Sequence, residues 1–113
     1  SLGGVNPRLH HGTLNAMFLP AVVRFNATAE SVQKEKRLER MAHAMGLASA
    51  GDIPEAIRDM NARLGLPTGL AAMGVTEALF DDIIKGAMAD HCHKTNPRVA
   101  TPEQYREMLH QSL

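Results

Sequence analysis

The chain has little of what several classes of protein require. Its 113 residues include one cysteine, so no internal disulfide can form and a reducing cytoplasm is the expected compartment. No Trp and one Tyr leave few surfaces for stacking bases, and 12 basic residues balance 12 acidic ones. No apolar run approaches the roughly 20 residues of a membrane span, and no signal peptide pattern opens the chain. We therefore expect neither a nucleic-acid nor a membrane partner.

Helical periodicity dominates what is present. Apolar residues make up 44% of the chain and charged residues 21%, an ordinary balance for a globular domain. Apolar side chains recur every three or four positions, and no stretch alternates convincingly as a strand would. The sequence predicts one all-α domain over residues 1–113, folded as a bundle of about five helices.

The first two helices are predicted from residues that start, kink or end a helix. The first is predicted from about Thr13 to Phe25, with a kink at Pro20 because proline removes an amide donor. Thr28 or Ser31 would cap the second helix, and Gly46 would end it in a left-handed conformation. Its predicted inward-facing side chains are Leu38, Met41, Ala42 and Met45.

Three further helices follow. Asp52-Ile53-Pro54-Glu55 combines a capping side chain with an early proline, and Gly65-Leu66-Pro67 ends that helix. Thr76-Glu77 opens the fourth, which should stop at or just before His91. Thr101-Pro102-Glu103-Gln104 is a second capping-box start and opens the last helix. The stripes predicted to face inward are Ile53, Ala56, Ile57, Met60 and Leu64, then Phe80, Ile83, Ile84, Ala87 and Met88, then Tyr105, Met108 and Leu109.

Two groups of residues are candidate metal ligands. His10-His11-Gly12 offers imidazoles, the commonest metal-binding side chains, although a solvated or capping loop histidine is the alternative. His91-Cys92-His93 adds sulfur, which suits zinc or iron. Successive helical residues diverge by about 100°, so these three side chains cannot all bind one ion, and a polar helix end is the alternative. A small structural zinc site that joins both groups is a further hypothesis.

The remaining motif is a turn. Asn96-Pro97-Arg98 precedes a capped helix, where an asparagine that bonds nearby backbone is the plain interpretation. The chain contains no P-loop, no G-x-G-x-x-G fingerprint and no G-x-S-x-G elbow, so no motif for gripping a dinucleotide is visible. We predict no catalytic and no cofactor-binding residue within this chain.

These motifs in this order resemble the iron-containing (group III) alcohol dehydrogenase family. Leu2-Gly3-Gly4, His11-Gly12, Asn15-Ala16, Leu19-Pro20 and Arg24-Phe25-Asn26 are similar to its signature region. Gly65-Leu66-Pro67-Thr68 is similar to its G-[IL]-P-T turn. The closing segment matches at Asp90, Cys92, Asn96-Pro97-Arg98 and Thr101, so the likeness extends over essentially the whole chain.

The resemblance implies an identity for the site. Members have an N-terminal domain that binds NAD(P) and a helical C-terminal domain of the dehydroquinate synthase-like fold, with iron or sometimes zinc between them. One aspartate and three histidines hold the metal, and the last histidine corresponds to His11. Cys92 corresponds to a position that can line the substrate cavity. His10 stands where the family usually has proline, and the preceding loop is one residue longer, so His10 is a competing ligand.

The resemblance also implies that partners are missing. The chain begins after the region that supplies the other metal ligands and the nucleotide-binding domain. We therefore expect a C-terminal fragment that is inactive alone and binds neither iron nor NAD(P) tightly. The full enzyme would act on a small alcohol or aldehyde, and a homo-oligomer is expected. A maleylacetate reductase of the same superfamily, and a stand-alone helical interaction or structural zinc module, are the alternatives.

Overall fold

A computed structural model describes Gly4 and residues 10–113 of the protein. In this part of the chain there are seven α-helices and no strand, which confirms the all-α class but exceeds the predicted five helices. None of these helices is long and apolar enough to cross a membrane. The helices are α1 (His11–Asn26), α2 (Glu30–Lys34), α3 (Arg37–Ala44), α4 (Ile53–Arg63), α5 (Phe80–Ala89), α6 (His91–Thr95) and α7 (Pro102–Ser112).

Helix α1 is the centre of the molecule. It packs chiefly against α4 and α7. Each of three apolar clusters takes residues from a different part of it. The first contains Leu14 and Met17 with Leu70, Val75, Phe80, Ile83, Ile84 and Leu109. The second contains Val23 with Ala29, Val32, Leu38, Ala42, Ile53 and Ile57, and the third contains Ala21 with Ala100 and Met108.

Helix α1 continues through a buried proline. Pro20 has no amide hydrogen, so the Ala16 carbonyl one turn earlier loses the partner it would have in a regular helix. The side chain of Asn61 on α4 replaces that partner, since its Nδ2 donates to the Ala16 carbonyl oxygen at 2.9 Å. Asn61 is 9% exposed. A buried polar side chain on α4 therefore completes the backbone hydrogen bonding of α1.

The predicted second helix is divided. Lys36 adopts a left-handed conformation with φ 50° and separates α2 from α3. Neither Thr28 nor Ser31 caps, because Ala29 holds the N-cap position and the Thr28 hydroxyl donates to the Phe25 carbonyl. Gly46 has φ 74° at the end of α3, as predicted.

Several predicted inward-facing residues lie at the surface. Met41 and Met45 on α3 are 43% and 40% exposed, and Met60 and Leu64 of the α4 stripe are 40% and 67% exposed. On α4 the buried residue that follows Ile57 is instead the polar Asn61. Met88 on α5 is also at the surface. Periodicity therefore located the main helical segments, but it missed the division of the second helix and the short α6, and it overestimated how much of each apolar stripe is covered.

Helix starts were predicted with mixed success. Thr101 and Gln104 form the predicted reciprocal capping box at α7. Asp52 serves in a different box, in which it bonds the backbone of Ser49 across a short 3₁₀ turn that leads into α4. Gly65 has φ 72° after α4, as its predicted role requires.

Replacement of Asn61 by alanine should lower the free energy of unfolding by about 1–3 kcal/mol, because the Ala16 carbonyl would be buried without a partner. In a Pro20→Ala background the same replacement should cost less, since the new amide can bond Ala16 itself. The parent, the two single variants and the double variant form a double-mutant cycle. Urea titrations of these four proteins, followed by circular dichroism, measure the energetic coupling between positions 20 and 61. Asn15→Ala, at an exposed position of α1, is the control. Strictly additive losses would show that Asn61 does not replace the missing amide.

Candidate functional site

The N-terminal end of α1 presents two exposed imidazoles. His11 is the first helical residue, and His10 precedes it in an extended conformation. The His11 Nε2 lies 3.2 Å from the Asn15 Nδ2, and the His10 Nδ1 lies 3.4 Å from the Thr13 hydroxyl. The His10 ring lies over Gly12 in the first turn, where a Cβ at position 12 would make ordinary van der Waals contact with it at 3.4 Å. Of the signature region, Leu2-Gly3 and the loop over residues 5–9 lie outside the described residues.

The opposite end of α1 is clamped by the Asn96-Pro97-Arg98 turn. The side-chain amides of Asn26 and Asn96 bond each other in both directions, at 3.1 and 2.7 Å. The Arg98 guanidinium lies 4.5 Å from the centre of the Phe25 ring and donates to the Thr28 hydroxyl at 2.5 Å. Two motifs about 70 residues apart in the sequence thus form one contact, which holds the end of α1.

A cavity of about 220 Å³ lies beside this clamp. Apolar side chains of α1, α5 and α7 form much of its wall, and a thiol, an imidazole, a phenol and a carboxylate add polar groups. The lining residues are Val22, Phe25, Ala87, Asp90, Cys92, His93, Asn96, Ala100, Tyr105 and Met108. Cys92 therefore lines a cavity, and it remains a prediction that substrate occupies it.

His93 diverges from His91 and Cys92, so the three side chains of the triplet do not face one ion, as predicted. His93 is 9% exposed and places its Nδ1 2.8 Å from the Tyr105 hydroxyl. His91 and Cys92 face solvent. Burial is the main cause of a raised pKa at Tyr105, with a smaller contribution from the charge of Asp90. His93 is thus a buried structural partner of α7, separate from the two residues before it.

Asp90 joins the two exposed residues of that triplet. It holds the N-cap position of α6 in an extended conformation, and its carboxylate accepts from the Cys92 amide at 2.9 Å. The Cys92 Sγ lies 3.6 Å from the His91 Nε2, and the His91 Nδ1 lies 3.5 Å from the Asp90 Oδ1. The hydrogen bond from the Cys92 amide is the main cause of a lowered pKa at Asp90. The Asp90 side chain in turn raises the pKa of the Cys92 thiol. Sequence reasoning missed this arrangement, although an Asp-x-Cys spacing at a helix start was visible.

The two candidate regions do not share an ion. Val22, which lines the cavity, follows His11 by eleven positions on α1, a distance of about 16 Å along a helix. The hypothesis of one zinc site built from His10, His11 and the residues around Cys92 is therefore wrong. In the described residues, the one group of three donors close enough for a metal is Asp90, His91 and Cys92.

Comparison with known proteins decides the family. A model of the C-terminal region of Fe-containing alcohol dehydrogenases matches residues 2–113. The chain belongs to the Fe-containing alcohol dehydrogenase family. It forms the helical C-terminal domain of this family's architecture, which confirms the predicted fold.

Relatives of this Fe-containing dehydrogenase domain have several names. This chain is 57% identical to a 4-hydroxybutyrate dehydrogenase of Cupriavidus necator, over 93% of its own length and 28% of the relative. It is 33% identical to an NAD-dependent methanol dehydrogenase of Bacillus methanolicus over 99% of this chain and 30% of the relative. It is 34% identical to a lactaldehyde reductase of Escherichia coli K12 over 88% of this chain and 27% of the relative. The chain therefore spans less than a third of the length of these relatives, and no solved structure matches it.

The Asp90–Cys92 contact predicts a pH effect on thiol chemistry. The thiolate is the reactive form, so a raised pKa means slow alkylation near neutral pH. Asp90→Asn keeps a capping side chain but removes the charge, and it should shift the pH profile of alkylation by iodoacetamide to lower pH. Mass spectrometry in the presence of a chelator measures the rate at the single cysteine. Asp82→Asn, an equal charge change on α5, should leave the profile unchanged. An unchanged profile for Asp90→Asn would show that the carboxylate does not act on the thiol.

Proposed function

We propose that this chain is the C-terminal domain, over residues 1–113, of an NAD(P)-dependent dehydrogenase that interconverts 4-hydroxybutyrate and its aldehyde. The observation that carries the substrate is the 57% identity to a 4-hydroxybutyrate dehydrogenase. The nicotinamide cofactor is supported by the name of the methanol dehydrogenase relative. An N-terminal domain would bind the dinucleotide, since the chain matches only 28% of the hydroxybutyrate enzyme. The domain alone would then be inactive.

The family name and the donor chemistry support a metal at His11. An imidazole suits iron, and zinc is the alternative. The His11 ring is exposed at the start of α1, with its Nε2 near Asn15, so a metal at Nε2 would replace that contact. Among residues 10–113, His11 belongs to no group of three donors, so the remaining ligands would come from the N-terminal domain. The bound metal would polarise the alcohol oxygen and stabilise its alkoxide.

The residues of this chain would position His11 and restrict its motion. Leu14 and Met17 bury the first turns of α1, and the Asn61 contact completes the helix one turn further. The first turn of α1 holds no acidic side chain and the His10 side chain does not cap it, so the helix dipole makes the potential there positive. A negatively charged alkoxide near His11 would lie at this favourable end of the helix.

Exposed apolar side chains support contacts with further protein. Met41, Met45, Met60 and Leu64 are each at least 40% exposed on α3 and α4. In the whole enzyme, we propose that such surfaces contact the N-terminal domain or a second copy of the protein. A homo-oligomer is accordingly part of the proposal.

The substrate is tested with the full-length parent protein. Its kcat/KM for 4-hydroxybutyrate should exceed that for 1-butanol by at least about tenfold, because a site built for a carboxylate rejects an analogue that lacks it. NAD(P)H absorbance measures both reactions. Equal values would contradict the substrate while leaving an alcohol dehydrogenase, and faster reduction of maleylacetate would favour the reductase alternative.

The metal ligand is tested by two adjacent substitutions. In the full-length protein, His11→Ala should lower iron affinity by about tenfold or more, because an inner ligand matters at least as much as the groups that support it. His10→Ala should retain the metal. Metal content after dialysis, measured by mass spectrometry, distinguishes them, and circular dichroism checks the fold. Metal loss in His10→Ala alone would assign the ligand to His10.

A further inference from the structure

The segment Asp90-His91-Cys92 brings three different donor atoms together on the surface. A carboxylate oxygen, an imidazole nitrogen and a sulfur lie within 4.8 Å of one another, one from each residue. A tetrahedral zinc ion with bonds of about 2.0–2.3 Å holds its donors about 3.3–3.6 Å apart. The 3.6 Å from the Cys92 Sγ to the His91 Nε2 fits that spacing. Rotation of the exposed Asp90 side chain would bring its carboxylate oxygen to the same spacing from the other two donor atoms.

The backbone explains why adjacent residues converge here. Side chains of successive residues diverge inside a helix, but Asp90 has φ −75° and ψ 139° and stands outside α6. Its carboxylate folds back over the first turn to reach the Cys92 amide. The His91 side chain is 90% exposed and can rotate to present either ring nitrogen. The extended residue before the helix therefore lets the Asp90 carboxylate join the His91 Nε2 and the Cys92 Sγ, which lie 3.6 Å apart on the first turn of α6.

The donor set selects the class of ion. Oxygen, nitrogen and sulfur together suit borderline-soft divalent cations, whereas magnesium and calcium prefer oxygen alone. A carboxylate and a thiolate together balance two positive charges. We propose that Asp90, His91 and Cys92 form a binding site for a divalent zinc-like cation, separate from His11 and independent of the function proposed above. Binding displaces the thiol proton into solvent, and three protein ligands leave a coordination position for water.

The proposed cation site lies at the edge of the cavity described above. Asp90 and Cys92 also line the 220 Å³ cavity. An ion bound to both would sit on the cavity wall. Val22 of α1 lines the same cavity and is about 16 Å along that helix from His11. Occupation of the site would therefore change the polar part of that wall without touching the ligand at the other end of the helix.

Cobalt(II) titration of the 113-residue protein tests the site. A thiolate-to-cobalt absorption band should rise to one equivalent, and zinc should abolish it by displacement. Because Cys92 is the single cysteine, Cys92→Ser should eliminate the band. His91→Ala should weaken cobalt binding by about tenfold or more, since one of three donors is lost. His43→Ala, a substitution of another exposed histidine, is the matched control that should leave the band intact.

A second measurement separates this site from other modes of binding. Zinc should protect Cys92 from iodoacetamide, and EDTA should restore the reaction. Sedimentation at two protein concentrations should show a monomer-to-cobalt ratio of one, which excludes an ion shared between two thiolates. Absence of the band in a folded protein would overturn the proposal, as would unaltered cobalt affinity in both Cys92→Ser and His91→Ala.

Discussion

The hydrogen bond from Asn61 to the Ala16 carbonyl is the contact on which the architecture depends. Proline at position 20 deprives α1 of a backbone hydrogen bond at a part-buried point in the middle of the domain. The neighbouring helix provides it instead, which fixes the register of α4 against α1. Because α1 contributes to all three apolar clusters, this register is transmitted to the rest of the molecule.

The two ends of α1 have different physical roles. At the first end, His10 and His11 are exposed, and within residues 10–113 their side-chain hydrogen bonds go to Thr13 and Asn15 at the start of the same helix. At the second end, Asn26 and Phe25 are bound by Asn96 and Arg98. Motifs that suggested chemistry when read along the sequence therefore divide into an available donor and a structural clamp. The clamp acts on chemistry only by fixing the helix that carries the donor.

The sequence predicted what depends on local interactions. The Thr101–Gln104 capping box and the glycines at 46 and 65 were located because short-range geometry determines them. The break at Lys36 was missed because lysine has no preference for positive φ, so its residue type does not signal that conformation. Asn61 was missed for a related reason, since its partner is 45 residues away and only the folded structure pairs them. Met41, Met60 and Leu64 show the limit of periodicity, which finds an apolar stripe but not what covers it.

The residues around Cys92 show how a short helix can create a donor cluster that a long one forbids. His93 separates from His91 and Cys92 because each helical step turns by about 100°, and it reaches Tyr105 in the interior. Asp90 escapes this rule because it precedes the first turn. Among residues 10–113, His11 belongs to no such group of three donors, and the His10 before it has a separate partner in Thr13. The proposed ligand His11 at one end of α1 would thus require further ligands from elsewhere, whereas three donor atoms lie close together at the start of α6.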